Sequence, residues 1–107
     1  MRWTVEILNE AVSRELEALP LDVRAALAKI VERIEQVGLE RVHEPHVKHL
    51  RGKLWEMRPS ARGNEGRAIY VTARGARVVI VAAFQKKTQK TPARWLDLAE
   101  DRAKTIP

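Results

Sequence analysis

The chain has 107 residues, a length that closes one core without covalent staples, and no cysteine, which removes disulfides and zinc–thiolate sites and suits a reducing compartment. No stretch approaches the roughly 18 apolar residues that span a bilayer, and the start, MRWTVEILNEAV, lacks the apolar run of an export signal; a soluble cytoplasmic domain over residues 1–107 is expected. The formal net charge of +6 is uneven: residues 48–94 hold twelve Lys and Arg against only Glu56 and Glu65, while residues 1–47 hold six against nine Asp and Glu.

In chain order, WTVEIL (3–8) alternates as a short first strand. Asn9 can cap a helix through AVSRELEAL, with Val12, Leu16 and Leu19 on one stripe. Pro20 stops that helix and suits the first turn of the next, in which Val23, Leu27, Ile30, Ile34 and Val37 recur as one apolar stripe and Gly38 ends the run. The two helices form a hairpin with facing apolar sides. Residues 39–53 are irregular. A strand LWEMR (54–58) follows, then a loop PSARGNEG (59–66), then RAIYVTAR and RVVIVAAF as a hairpin turning at Gly75. VVIVAA is apolar throughout, the pattern of a central strand buried on both faces. Thr91 is a natural N-cap, with Pro92 at the first position of a final helix through ARWLDLAEDRAKTI. The order β-α-α-β-β-β-α predicts an α+β fold with helices on one face of a mostly antiparallel sheet.

A segment as basic as 48–94 predicts a surface for a polyanion. Membrane surfaces are usually met by a basic amphipathic helix, whereas here the cations lie in strands and loops, so nucleic acid is the better partner. Alternation in LWEMR puts Trp55 and Met57 on one face, toward the helix hairpin and the core, and Glu56 and Arg58 on the other with Leu54. Arg67 shares a face with Ile69 and Val71, opposite Tyr70, which reads as a core residue. Glu56 then either pairs structurally with Arg58 or Arg67, or orients an arginine whose planar fork holds a phosphate. His43, His46 and His49 are spaced by three, but Pro45 precludes the helix that would align them, so no metal site is expected; a single histidine acting as acid or base stays open. No Ser-His-Asp set, Gly-rich phosphate loop or carboxylate pair occurs. The remaining inventory of Lys, Arg, Tyr and His suits RNA cleavage by the substrate's own 2′-hydroxyl, which needs a positioned phosphate, charge stabilisation and proton transfer but no cofactor. Crowded lysines lower one another's pKa toward that of a useful base.

The segments KHLRGKLWEMRP and GRAIYVTARGARVVIVAAFQKKTQKTPARWLDLAEDR resemble the HigB-like, phage-protein-related branch of the RelE/ParE toxin superfamily. The resemblance covers nearly the whole chain and is carried by the LWEMR and FQKKTQKTP motifs together. It implies a RelE-like fold, a small antiparallel sheet with two helices on one face and a C-terminal helix. It also implies the toxin of a type II toxin–antitoxin pair that cleaves mRNA on the ribosome. The partner would be a helix-turn-helix, HigA-like antitoxin through which operator DNA is reached. Carried over, the catalytic candidates are Arg58, Arg67, Lys86 and Lys87, the arginines holding the scissile phosphate and a lysine serving proton transfer. Lys48, Phe84, Lys90 and Arg94 would contact RNA, Phe84 by stacking on a base or else as a core residue. The same superfamily leaves two alternatives, a ParE-like gyrase inhibitor and an inactive homologue kept for binding. Phe84 to Lys87 is expected to finish the central strand.

Overall fold

The computed structural model describes residues 2–107. Its elements are β1 (Thr4–Ile7), α1 (Glu10–Glu17), α2 (Leu21–Val37), a 3-10 turn (Leu39–Arg41), β2 (Val47–Arg51), β3 (Leu54–Met57), β4 (Ser60–Ala61), β5 (Asn64–Ala73), β6 (Arg77–Gln85) and α3 (Ala93–Ala103). The sheet runs β1-β6-β5-β3-β2, with β1 parallel to β6 and the other pairs antiparallel; β4 pairs only with β5.

Local chemistry sets the first elements as the pattern indicates. The Asn9 side chain accepts the Val12 N–H at 3.1 Å, closing the start of α1. Val23, Leu27, Ile30 and Ile34 are the buried stripe of α2, which ends at Gly38 with φ 97°. This stripe and Val12 pack on Met57, Ala68, Tyr70, Val78 and Ile80 of the sheet. The helix comes so close that a Cβ on Gly66 would lie 2.6 Å from Val23 Cγ1.

Four expectations change. First, helices cover both faces: α3 lies on the side opposite the hairpin, where Ala99 packs with Leu54, Ile69, Val71, Val79 and Val81. A central strand apolar at every position requires a cover on each side. Second, residues 47–51 form a strand, β2, at the sheet edge; its polar residues hide it from an apolar pattern search. The loop 59–66 likewise folds into a tight hairpin, with Arg62 and Gly63 at φ 51° and 82°. Third, Trp55 is 40% exposed, beyond the cover of α2, and packs on the His49 ring at 4.9 Å between centroids. Fourth, Thr91 does not cap α3; Pro92 occupies the N-cap position, and the Thr91 hydroxyl donates to Glu56 Oε1 at 3.1 Å.

A bulge in β6 decides what faces α3. Ile69 pairs with Ala82, but Tyr70 pairs with Ile80, so Val81 is an extra residue. Ile80 therefore packs under the hairpin while Ala82 and Phe84 join the core under α3. Unbroken alternation from Ile80 would have sent Phe84 to the hairpin side. The strand edge here lies past β1, whose last pair is Ile7 with Ile80. Two side chains satisfy its freed backbone groups. The Ala83 N–H donates to Glu15 Oε1 at 3.0 Å, and Arg102 Nη1 donates to the Val81 carbonyl at 2.9 Å. Arg102 also binds both Glu15 oxygens, at 2.9 and 2.8 Å, so α1 and α3 are joined around the edge of β6.

Candidate active site

The strand register brings together what the sequence left apart. Glu56 on β3 pairs with Ile69 on β5 and with Lys48 on β2, and Arg67 pairs with Phe84 on β6. Cross-strand partners share a face, so Lys48, Glu56, Arg67 and Phe84 all look toward α3. Glu56 is 3% exposed and Arg67 2%. Glu56 Oε2 lies 3.5 Å from Arg67 Nε and 3.6 Å from Arg58 Nε, while its other oxygen takes the Thr91 hydroxyl. Both expected arginine pairings are thus present at once. The Arg67 fork is filled further: Nη1 donates to the Gly66 carbonyl at 2.6 Å and Nη2 to Glu65 Oε1 at 3.2 Å.

Arg67 is therefore enclosed, whereas the Arg58 side chain keeps 25% of its surface exposed and is aimed by Glu56. β6 ends at Gln85, short of the lysines, although the Lys86 N–H still donates to the Glu65 carbonyl at 2.8 Å. Lys86 Nζ reaches to 4.0 Å from Glu65 Oε1, and Lys87 is exposed. The hydrogen bond from Arg67, followed by the charge of Lys86, holds the Glu65 carboxyl below the usual carboxylate range. Phe84 is 9% exposed and stacked on Trp95 of α3, with centroids 4.7 Å apart and planes at 14°. One of its faces is thus occupied by protein. Lys90, on the connector, and Arg94, in the first turn of α3, are exposed. Tyr70 lies in the hairpin core, where burial pushes its hydroxyl up to about 12, far from the range of a base at neutral pH.

Glu65 and Trp95 are members of this cluster that the sequence pattern does not mark, and Thr91 is marked there only as a cap. Glu65 is one of only two acids in residues 48–94, and that isolation was the available signal. The histidines disperse: His43 and His49 lie on the hairpin side beside Trp55, and His46 lies across from α2. Chemically, cations fixed against two carboxylates at the open end of a rigid sheet can bind a phosphodiester and stabilise added negative charge.

Residues 14–104 match the family described as phage-derived protein Gp49-like (DUF891). The chain belongs to the Gp49-like family. The LWEMR and FQKKTQKTP motifs both lie within the matched residues. The Gp49-like chain also has the RelE fold. It superposes on a solved free-state structure of a double arginine-to-alanine mutant of the E. coli toxin RelE with a TM-score of 0.64, at 18% identity and with 100% of each chain covered. No curated protein matches the chain. Among the described residues, no helix of this Gp49-like protein is long and apolar enough to cross a membrane.

Proposed function

We propose that the protein is a cytoplasmic toxin that cleaves mRNA on the translating ribosome, using the RNA 2′-hydroxyl as nucleophile. The observation that carries this reading is the convergence of Arg58, Arg67 and Lys86 on Glu56 and Glu65, beside the exposed Lys87. In the reaction the 2′-oxygen attacks the adjacent phosphorus and the bond to the 5′-oxygen breaks, leaving a 2′,3′-cyclic phosphate and a 5′-hydroxyl. One proton leaves the 2′-oxygen and one reaches the departing oxygen. Arg58 binds the scissile phosphate, with its guanidinium aimed by Glu56. Lys86, aimed by Glu65, and Lys87 stabilise the added charge and serve the proton transfers. Arg67 acts from within as a positioning residue, holding Glu56 and Glu65 in place. Lys48, Lys90 and Arg94 extend the cationic face along the RNA, while Phe84, buried under α3 against Trp95, serves the core rather than a base. The nucleophile belongs to the substrate, so the step needs no metal. The antitoxin in this reading is a helix-turn-helix, HigA-like protein through which operator DNA is bound.

Induced expression followed by mapping of mRNA 5′-ends tests the reading. Cleavage is expected with the wild-type protein in cells and on purified ribosomes. Arg58→Ala and Lys87→Ala should each lower it by about 100-fold or more, the loss typical of removing one charge-stabilising donor. Undiminished growth arrest by both variants, or DNA breaks with intact mRNA, would overturn it. The latter is the signature of a gyrase-directed toxin.

A further inference from the structure

A cleft of about 820 Å³ opens on the hairpin side of the molecule, between α2 and the turn that follows β3. It lies within the size range of small-ligand sites. Ile30, Pro45 and Pro59 give it an apolar floor, and Lys29, Arg33 and Arg58 stand along it. Arg58 is the residue that ties the cleft to the candidate active site, since the same side chain is held by Glu56. Glu65 borders both sites in the same way.

The charge of the cleft is available to a ligand. Of its two acids, Glu65 is bound by Arg67 and faces Lys86, while Asp22, whose Oδ1 accepts the Val23 N–H at 2.8 Å, leaves one negative charge against Lys29, Arg33 and Arg58. Among the described residues neither Lys29 nor Arg33 pairs with a carboxylate. They stand one turn apart on α2, a spacing at which like charges destabilise a helix. An apolar floor with unpaired cations at its rim matches one nucleotide, its base flat on the floor and its phosphate at the rim.

We propose that this cleft seats a nucleotide of single-stranded RNA that flanks the scissile phosphate, with Lys29 and Arg33 on its phosphate and the Ile30–Pro45–Pro59 floor under its base. The proposal rests on the RNA-cleaving reading of the adjacent site and deepens it, since a base seated here would contribute sequence preference. Lys29 and Arg33 bind; they do not take part in bond breaking.

The test uses 2′-O-methyl oligoribonucleotides, which cannot be cut, and fluorescence anisotropy with the full-length protein. A dinucleotide fills only the Arg58 site, whereas a longer oligomer also reaches the cleft. Lys29→Glu/Arg33→Glu should weaken the longer oligomer about tenfold or more and reduce the slope of log affinity against log salt by about 0.7, the loss of one single-strand phosphate contact. Dinucleotide affinity and melting temperature should not change. Ala26→Trp, which fills the cleft without altering charge, should weaken the longer oligomer and leave the salt slope unchanged. If charge reversal unfolds the chain, Lys29→Gln/Arg33→Gln gives the same comparison. Unchanged binding of the longer oligomer, equal losses for both lengths, or loss of antitoxin binding alone would overturn the proposal. Because the probe cannot be cut, a length-dependent loss supports the cleft even if no mRNA cleavage is found. Mapped mRNA cleavage would likewise survive failure of the cleft.

Discussion

Glu56 shows how one side chain organises the site. It is a buried carboxylate facing two guanidiniums and a hydroxyl, and two of its partners, Arg67 and Thr91, come from different elements. Breaking such a pair costs more than its formation gains, because the partner is left as an uncompensated buried charge. Glu56→Gln should therefore destabilise the protein by about 3 kcal/mol in chemical denaturation. Arg67→Ala should cost a similar amount, which makes it a poor probe of catalysis and is why Arg58 and Lys87 serve that purpose. Tyr70 gives a test in the opposite pH range. Its folded pKa of about 12 lies above the ordinary value of 10.0, because burial opposes the phenolate. The unfolded chain thus ionises first. The stability tied to Tyr70 is complete below pH 10.0 and is lost as pH rises toward about 12. Denaturant midpoints should fall across that window, and Tyr70→Phe should flatten the fall. Alternation alone correctly placed Arg67 and Tyr70 on opposite faces. It failed for Trp55 because side-chain direction does not say how far a covering helix extends.

At the scale of elements, two close fits decide geometry. α2 rests on the backbone of Gly66, and Gly66→Ala would drive a methyl group to 2.6 Å from Val23 Cγ1 on a stiff, fully buried side chain. The expected loss is about 1–3 kcal/mol, read as a lowered melting temperature, the usual range for overpacking a core. Val23→Ala should recover part of it. The bulge at Val81 is the second. Its groups are held by Glu15 and Arg102, so Glu15→Ala removes the acceptor of the Ala83 N–H and the partner of Arg102 together. About 2 kcal/mol is expected, the cost of losing partly buried hydrogen bonds to a charged group. Faster hydrogen exchange at Ala83, with exchange at Ile69 little changed, would localise the effect to the strand edge. Helices of clear period and a wholly apolar strand were legible in the sequence. β2 and the bulge were not: an edge strand needs no apolar face, and a bulge is a fact about pairing between strands.

Across the whole molecule, the cations of 48–94 divide between those paired away from the site, Arg51 with Asp97 and Glu100 and Arg77 with Glu6, and those near the end of the sheet where β3 and β6 finish. Lys48, Arg58, Lys86, Lys87, Lys90 and Arg94 come from four separate segments, namely β2, the turn after β3, the connector after β6, and α3. An RNA-binding face of this kind should show log affinity falling steeply with log salt, by about 0.7 per phosphate contact for a single strand. A flat salt dependence would mean that the charge serves another end. The sequence by itself determined the α+β content, the helix hairpin and its core stripe, the apolar centre of the sheet and the basic character of the surface. These follow from periods of 3.6 and 2 and from composition, which are local properties of the chain. Only the tertiary structure decided which arginine is enclosed and which is open, that Thr91 serves Glu56 rather than α3, and which face Phe84 meets. Each of those depends on register across strands far apart in sequence, and one extra residue, Val81, is enough to turn the end of β6 toward the site.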